Sequence, residues 1–458
     1  MLSIGKRQPR QGGSFNSSSR NLVTFDVPAG SLYDLSRSYL ALTTTITATK
    51  IDDEADNCIH NVSLSHRPQC LIKNARWSSD RCGDIENVQA INVLNSNMDK
   101  LTKNHFERHS QAVLDGTDYV DEYTNHTSNL NSLHHGQASS YRSPQLNVPL
   151  SDVFQGIGRS QYPSFAMGNT QIDVELESDS KCLQENHRYT AASLLTCNDI
   201  AAADARNQVV VDEIDSLSQL GLFIGQSIQI TGTGVPDLDH HKRIITLTLL
   251  GTTATITVES DIGPGAFTNV RIREVAAASL AYSLEAQLVL VSVNLPPSRN
   301  QKMLKDVRSG VDIAYRTWEV EEDNMDAVPF YNRNFFVNPN VANVVMLSTG
   351  AELDSTIVNF SSYRTSINGV DNTNTDVVKS SSLYRDRLMS GTVRMGMPLR
   401  ALQFPPDCII QAVPASDKQQ QFQVRMRASG GNLPANNVYL FKQVTKTLSI
   451  SPRAVQVQ

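Results

Sequence analysis

The residues whose types and spacing could support metal chemistry include a histidine pair. In the segment 104–109 (NHFERH), His105 and His109 lie four residues apart, which on a helix puts both rings on one face, as in a metal-binding helix. Glu107 falls outside the position that the metalloprotease motif requires for its acid, and no third ligand is evident. We therefore interpret the pair as solvated or helix-capping side chains.

A second group of ligand-type residues lies in loop-like sequence. A divalent ion could bind there, but adjacent residues on a loop point in different directions and rarely converge on one ion. We therefore predict no metal site. The residues concerned are Asp237, Asp239, His240 and His241, together with the pair His134 and His135.

Glycine pairs could indicate phosphate binding. Gly156 and Gly158 form one pair, and the segment 231–236 (TGTGVP) contains another. Neither precedes a helix that carries the Lys-Ser/Thr or the third glycine of a nucleotide-binding motif, so we interpret both as turns. Ser227 in GLFIGQSI lacks the spacing of a nucleophile elbow. We predict no catalytic residues, no cofactor and no enzymatic activity.

Composition and charge exclude further classes of protein. The 458 residues are 40% hydrophobic and 19% charged, with a formal net charge of −6, which argues against a protein that coats nucleic acid. No apolar run approaches the roughly 18 residues that a membrane-spanning helix needs. We expect a soluble protein made in the cytoplasm. Its thinly spread cysteines favour free thiols; they are Cys58, Cys70, Cys82, Cys182, Cys197 and Cys408.

The first 20 residues have a composition of their own. They contain Lys6, Arg7, Arg10 and Arg20, no acidic residue, and abundant Gly and Ser. Such a segment buries little apolar surface, so we predict a flexible basic arm over 1–20. Two interpretations stay open: a disordered tail, or an arm that becomes ordered on a neighbouring subunit or an acidic partner.

Hydrophobic periodicity predicts strands in the first half of the chain. Two strands flank the turn at Pro28–Gly30, a third lies near Trp77, and others lie at 146–154 and 170–177. One exception is a three-to-four-residue period that predicts an amphipathic helix. It is formed by Ile85, Val88, Ile91, Leu94, Met98, Leu101 and His105.

Residues 200–276 look like an inserted unit. They contain short strands punctuated by glycine, at the spacing of a small β-sandwich or barrel. The strands on either side, at 170–177 and 283–297, share one character, so we expect them to pair with each other. Pro296 and Pro297 begin a linker over 296–310.

The last part of the chain, 311–458, is again rich in strand patterns. They include a half-buried strand that ends at the hairpin signal Asn368-Gly369, and one short candidate helix lies at 382–389. The whole sequence therefore predicts an all-β protein with few short helices. Many short strands of this kind form sandwiches, barrels or jelly rolls.

The order of these segments resembles a known family. A basic N-terminal tail, VTFDVPAGSLYDLSRSYLALTTTITA, an NARW strand and VPLSDVFQGI are similar to the first jelly roll of double jelly-roll major capsid proteins. These proteins come from double-stranded DNA viruses of the polinton, adintovirus and virophage type. LVLVSVNLPPSRNQ, FFVNPNVANVVML and VNFSSYRTSING continue the resemblance. It covers most of the chain outside 200–276.

The resemblance implies two tandem jelly rolls, at 21–295 and 311–458 with a C-terminal tail, in a virion protein. It implies a homotrimer that forms pseudo-hexagonal capsomers, tiles an icosahedral shell, and contacts neighbouring capsomers and minor capsid or penton proteins. Lys6, Arg7, Arg10 and Arg20 would hold the arm against a neighbouring subunit, an internal membrane or the genome. We favour the subunit, because four charges bind nucleic acid weakly and without specificity.

Three points stay open within this interpretation. The unit at 200–276 is either an outward surface that contacts a host receptor or a stabilising decoration. The chain could also be a minor capsid, penton or spike protein of a related virus. A glycan-binding β-sandwich adhesin is the alternative from another class, although 200–276 contains only Phe223 and Phe267 as aromatic residues for stacking on sugars.

Overall fold

A computed structural model gives the fold of the chain. It describes residues 2–49, 59–103, 107, 110–111, 114–115, 133–136, 141–185, 195–200, 207–211, 216–217, 220, 222, 224–231, 241–259, 268–274, 279–350, 353, 360–372, 376–378, 408–451 and 454–457. These residues form mainly antiparallel β-structure, which confirms the predicted all-β class.

The elements are named in chain order. Up to residue 274 the strands are β1 (Leu2–Arg7), β2 (Phe15–Asn16), β3 (Leu22–Val27), β4 (Leu32–Thr49), β5 (Ile59–Leu64), β6 (Ile72–Ser79), β7 (Gly83–Val88), β8 (Leu133–Gly136), β9 (Tyr141–Pro149), β10 (Gln161–Pro163), β11 (Thr170–Leu176), β12 (Leu183–Glu185), β13 (Leu195–Ile200), β14 (Gln208–Val211), β15 (Ser227–Thr231), β16 (His241–Leu250), β17 (Thr253–Val258) and β18 (Thr268–Glu274). The later strands are β19 (Ser279–Val293), β20 (Val311–Met325), β21 (Phe330–Val337), β22 (Val341–Thr349), β23 (Phe360–Ile367), β24 (Val370–Asp371), β25 (Val377–Val378), β26 (Cys408–Ala412), β27 (Gln420–Ala428), β28 (Asn436–Ile450) and β29 (Val455–Val457). The α-helices are α1 (Ile91–Thr102), α2 (Leu150–Val153), α3 (Ser164–Met167), α4 (Asp179–Cys182) and α5 (Pro297–Ser309), and two 3-10 helices lie at Pro68–Leu71 and Ile157–Arg159.

Two sheets form the first jelly roll. One has the strand order β1-β19-β4-β10, with β2 beside β19 and β9 beside β4, and the other has the order β3-β11-β6-β7. Apolar side chains alternate along these strands, so that one face of each sheet is buried; β11, for example, buries Ile172, Val174 and Leu176. Trp77 lies at the centre of this core, with the rings of Phe154 and Tyr162 at 5.3 and 5.0 Å.

The second jelly roll repeats this topology. Its sheets are β20-β28-β22-β26, with β29 beside β28, and β21-β27-β23-β24, with β25 beside β23. In each jelly roll the first, eighth, third and sixth principal strands form one sheet, and the second, seventh, fourth and fifth form the other. The predicted Asn368-Gly369 turn is confirmed, with both residues at positive φ (51° and 81°) between β23 and β24.

The N-terminal segment differs from the predicted flexible arm. Residues Leu2–Arg7 form β1, which pairs antiparallel with β19 from Leu2 opposite Val293 to Arg7 opposite Leu288. By the topology above, β1 is the first strand of the first jelly roll, and Phe15 is fully buried in its core. Backbone hydrogen bonds to β19 hold this segment, and composition does not reveal such bonds.

The helix that was predicted to begin at Ile85 begins later. Ile85 and Val88 lie in β7, which pairs with β6, and α1 starts at Ile91 after Ala90, whose φ is 48°. The apolar residues of the strand β7 and of the helix α1 that follows it fitted a single helical period by coincidence. His105 and His109 lie outside the described residues.

The strands that flank the insertion are not partners, contrary to the prediction. β11 pairs with β3 and β6, whereas β19 pairs with β1, β2 and β4. They are the seventh and eighth strands of the jelly roll, and consecutive strands there belong to opposite sheets.

Between β11 and β19 lies a separate unit. Six strands close into a barrel in the order β13-β14-β17-β16-β15-β18. The barrel has its own apolar core, formed by Val209, Val211, Leu220, Leu222, Ile228, Ile230, Ile244, Ala254, Ile256, Val258 and Ile272. Its strands therefore bury their apolar faces against one another.

The connection between the jelly rolls is helical. The segment predicted as a linker over 296–310 contains α5, which starts at a proline and ends before Gly310 at a φ of 105°. The segment 335–348 contains the end of β21 and most of β22, with a short turn between them. The candidate helix predicted at 382–389 lies outside the described residues. In the described parts of the chain, no helix is long and apolar enough to cross a membrane.

Candidate functional site at the joint between the jelly rolls

Most of the metal candidates considered in the sequence lie outside the described residues or have no described side chain. Among the described residues, no group of three or more His, Cys, Asp or Glu side chains is placed to hold a metal ion. His134 and His135 lie in β8 opposite Asn61 and His60, and His241 starts β16 opposite Gln229. Asp237, Asp239 and His240 lie outside the described residues.

The main buried surface outside the barrel cores is the joint between the two jelly rolls. The sheet β20-β28-β22-β26 is apolar on both faces; in β22, Val344 and Met346 pack into the second core while Val345 and Leu347 pack toward the first jelly roll. The side chains of the second jelly roll that join the first core are Tyr315, Trp318, Val345, Leu347, Leu353, Cys408, Ile410, Tyr439, Phe441, Leu448, Ile450 and Val455. The core of the first jelly roll therefore continues across the joint onto one face of this sheet, and the other face packs into the separate core of the second jelly roll.

A buried carboxylate lies at the centre of this joint. Glu86 of β7 is fully buried; its Oε1 accepts hydrogen bonds from the Gly156 amide (3.0 Å) and the Thr317 hydroxyl (2.7 Å). Its Oε2 accepts one from the Ile157 amide at 2.8 Å. Burial raises the pKa of Glu86, and these three donors act against that shift. The carboxylate thus connects β7, the turn at 156–157 and β20.

Gly156 is at this position because the two barrels approach closely. A Cβ there would lie 2.5 Å from the Tyr315 ring and 2.8 Å from the Arg316 carbonyl oxygen. The Tyr315 hydroxyl donates to the Ile85 carbonyl, and the Trp318 indole donates to Gln155 Oε1 at 2.9 Å. Sequence reasoning identified this glycine as a turn but missed its role at the joint. No local signal indicated that role, because Ile85 and Val88 on either side of Glu86 are three residues apart and indicated a helix.

A second cluster of buried charged side chains lies around Arg67 in the first jelly roll. The Arg67 guanidinium donates to Asp99 (2.7 Å), Asp115 (2.5 Å) and Asp152 (2.7 Å). Burial raises the pKa of Asp115 to about 6, although Arg67 acts in the opposite direction. Burial also opposes the charge on Asp99, but Arg67 and Lys103 together lower its pKa. The cluster ties the segment before the first 3-10 helix to α1 and α2.

The four predicted arm residues divide into two pairs. Arg10 forms an ion pair with Asp26 at 2.5 Å, and Arg20 donates to the carbonyls of Gln11 (2.8 Å) and Gly12 (2.5 Å). The guanidinium of Arg20 also lies over the ring of Phe15, 4.7 Å from its centroid. Lys6 and Arg7, by contrast, are exposed on β1.

Comparison with solved structures supports the topology. Two structures from the virus PBCV-1 cover 100% of this chain and 96% of theirs, each with a TM-score of 0.51. One is the crystal structure of PBCV-1 VP54 fitted into a reconstruction of the virophage Sputnik, at 9% identity. The other is a quasi-atomic model of the PBCV-1 capsid, at 8% identity. No protein-family model and no curated protein matches the sequence. With the strand order above, these matches define the fold as a double jelly roll, as predicted. It is the fold of the PBCV-1 capsid structures.

Proposed function

We propose that this protein is a structural capsid protein located in the virion, without enzymatic activity. The observation that carries the proposal is the extent of the fold match, which covers 100% of this chain and 96% of the PBCV-1 capsid structures. Jelly rolls suit a shell because each closes two sheets over one core and leaves few exposed strand edges.

We further propose that three copies assemble into a pseudo-hexagonal capsomer that tiles a shell. The joint supports this proposal, because its apolar contact between the barrels and the buried, hydrogen-bonded Glu86 would hold the two barrels of one chain together as one block. Three such blocks would place six similar barrels around an axis. Neighbouring capsomers and minor capsid or penton proteins would then be the partners.

The first experiment is the mass of the purified full-length protein by light scattering, followed by negative-stain imaging of the same peak. The proposal predicts about three times 50.4 kDa, with a hexagonal outline or spontaneous shells. A pentamer would point to a vertex protein. A protein that stays monomeric at high concentration would contradict the lattice.

Lys6 and Arg7 are the arm residues that we propose contact a neighbouring subunit, because both are exposed on β1. A variant with Lys6→Ser and Arg7→Ser should weaken the trimer. The protein concentration below which the trimer dissociates should therefore rise, most clearly at low salt. The matched control replaces Lys302 and Lys305, which are exposed on α5, by serine. Equal behaviour of both variants would contradict the contact.

The inserted barrel is the part that we propose faces outward as a candidate receptor surface. Its support is an independent core together with apolar side chains exposed to solvent: Ile224 (58%), Ile245 (41%) and Leu250 (87%). Binding of host-cell membranes by the full chain, lost when these three residues are changed to serine, would support a receptor role. Unchanged binding, or none, would leave the barrel as a decoration.

A further inference from the structure

A concave pocket of about 250 Å³ lies on the outward face of the sheet β21-β27-β23-β24 in the second jelly roll. Strand register builds it: Phe330 of β21 lies opposite Arg427 of β27, and Arg425 lies opposite Arg364 of β23. The intervening residues of β27, Val424 and Met426, point into the core. The alternation of the sequence VRMR therefore places two arginines side by side on the solvent face.

The charge in this pocket is only partly balanced. Arg364 donates to Asp376 (2.7 Å) and Asp371 (3.0 Å), so its charge is compensated. Arg425 donates only to the neutral amide oxygen of Gln423, at 2.6 and 3.0 Å. Within the described residues, neither Arg425 nor Arg427 forms an ion pair. Three arginines and two aspartates leave a local net charge of +1 in a chain of net charge −6, and the two adjacent guanidinium groups without a carboxylate partner form a local site for an anion.

The other side chains of the pocket narrow the class of anion. The ring of Phe330 is 44% exposed, with the Arg427 guanidinium 6.0 Å from its centroid, and offers an apolar face. Ser362 and Asp376 line the pocket and can donate to or accept from hydroxyl groups. Asp376 disfavours a polyanion such as nucleic acid. The pocket volume lies just below the range of sites that bind drug-sized ligands, and it suits one sugar unit.

We propose that this pocket binds an acidic sugar, with Arg425 and Arg427 holding its carboxylate or sulfate group and Phe330 packing against its ring. The proposal goes beyond the proposed function, and it assigns recognition of an anionic glycan to the second jelly roll, separately from the receptor surface proposed for the inserted barrel. An acidic side chain from a second copy of the chain is the competing occupant. Such a side chain carries the same negative charge as an acidic sugar but would leave most of the pocket unfilled.

The test titrates the protein with three probes by saturation-transfer NMR: sialyllactose, lactose 3′-sulfate and neutral lactose. The first two distinguish a carboxylate from a sulfate as the recognised group. Arg425→Gln and Arg427→Gln should each weaken binding of the acidic probe at least tenfold, because each removes a charge-assisted hydrogen-bond donor. Arg299→Gln, at an exposed arginine of α5, is the matched control and should bind as the parent does.

Light scattering on the same samples keeps this proposal separate from capsomer assembly. Selective binding of an acidic probe, its loss in both pocket variants and an unchanged mass would support the sugar site. Acidic probes that bind no better than lactose would overturn it, as would a pocket variant that binds like the parent. Pocket variants that change the mass without any sugar binding would assign the pocket to a neighbouring subunit and would also overturn it.

Discussion

Replacing Thr317 by valine tests whether the buried carboxylate stabilises the joint. The substitution keeps the shape of the side chain and removes only the hydroxyl that donates to Glu86 Oε1 at 2.7 Å. A hydrogen bond to a charged group contributes about 1.5–3 kcal/mol. Because Thr317 and Glu86 are both fully buried, water does not replace the lost donor. We therefore expect the free energy of unfolding to fall by about 2 kcal/mol.

Urea unfolding followed by tryptophan fluorescence measures this change. The chain has two tryptophans; Trp77 lies in the first core and Trp318 lies at the joint, so the signal reports both places. The protein concentration must be the same for all variants, since subunit association adds to apparent stability. Thr365→Val is the matched control, because the buried hydroxyl of Thr365 meets only the neutral amide of Asn372, at 3.1 Å. It should cost about 1 kcal/mol or less.

A double-mutant cycle gives the refuting result. In a Glu86→Ala background the Thr317 hydroxyl has lost its charged acceptor, so Thr317→Val should then cost less than about 0.5 kcal/mol. The same cost in both backgrounds would show that the hydroxyl does not act through the carboxylate. A Thr317→Val cost no larger than that of the Thr365 control would lead to the same conclusion.

Three further predictions concern the first jelly roll and its insertion. Deleting residues 2–7 should expose the edge of β19 and cause aggregation, measured by light scattering, whereas a dispensable tail would leave the protein soluble. Since burial raises the pKa of Asp115 to about 6, above its ordinary 3.8, the folded state binds this proton more tightly than the unfolded chain. The contribution of protonated Asp115 to the free energy of unfolding is present below about pH 4 and is lost as the pH rises through 6. Asp115→Asn should flatten the pH dependence of the unfolding midpoint in that window, and an unchanged profile would contradict the assignment. Replacing the segment 195–274 by a short Gly/Ser linker should leave the circular dichroism of a folded β protein, because the inserted barrel has its own core; a chain that fails to fold would contradict this.

Local signals explain what could be predicted from the sequence. The alternation of Ile172, Val174 and Leu176 and the Asn368-Gly369 turn each specify structure within a few residues, and both predictions are confirmed. β1 was missed because only Leu2 and Ile4 among its six residues are large and apolar, too few to establish a strand period; in this edge strand they are 45% and 69% exposed.

The candidate sites could not be predicted, since they depend on contacts that are distant in sequence. Glu86 and Thr317 are 231 residues apart, and nothing near either residue indicates the other. Likewise Arg364 faces Arg425 only because β23 and β27 pair in one particular register. The alternating sequence of β27 indicates that its arginines face solvent. The pocket itself is formed only when the neighbouring strands pair with β27.

The pairing of β1 with β19 determines when the first jelly roll can form during synthesis. The hydroxyls of Ser3 and Ser292 are in contact across 289 positions of sequence, so β1 cannot pair with β19 until the residues between them have been made. The inserted barrel, whose contacts are more local, can fold in the interval. Contacts between distant residues slow folding and prolong the exposure of unpaired strands. The residues of β1 are synthesised long before β19 and are therefore among the last of their domain to reach their place.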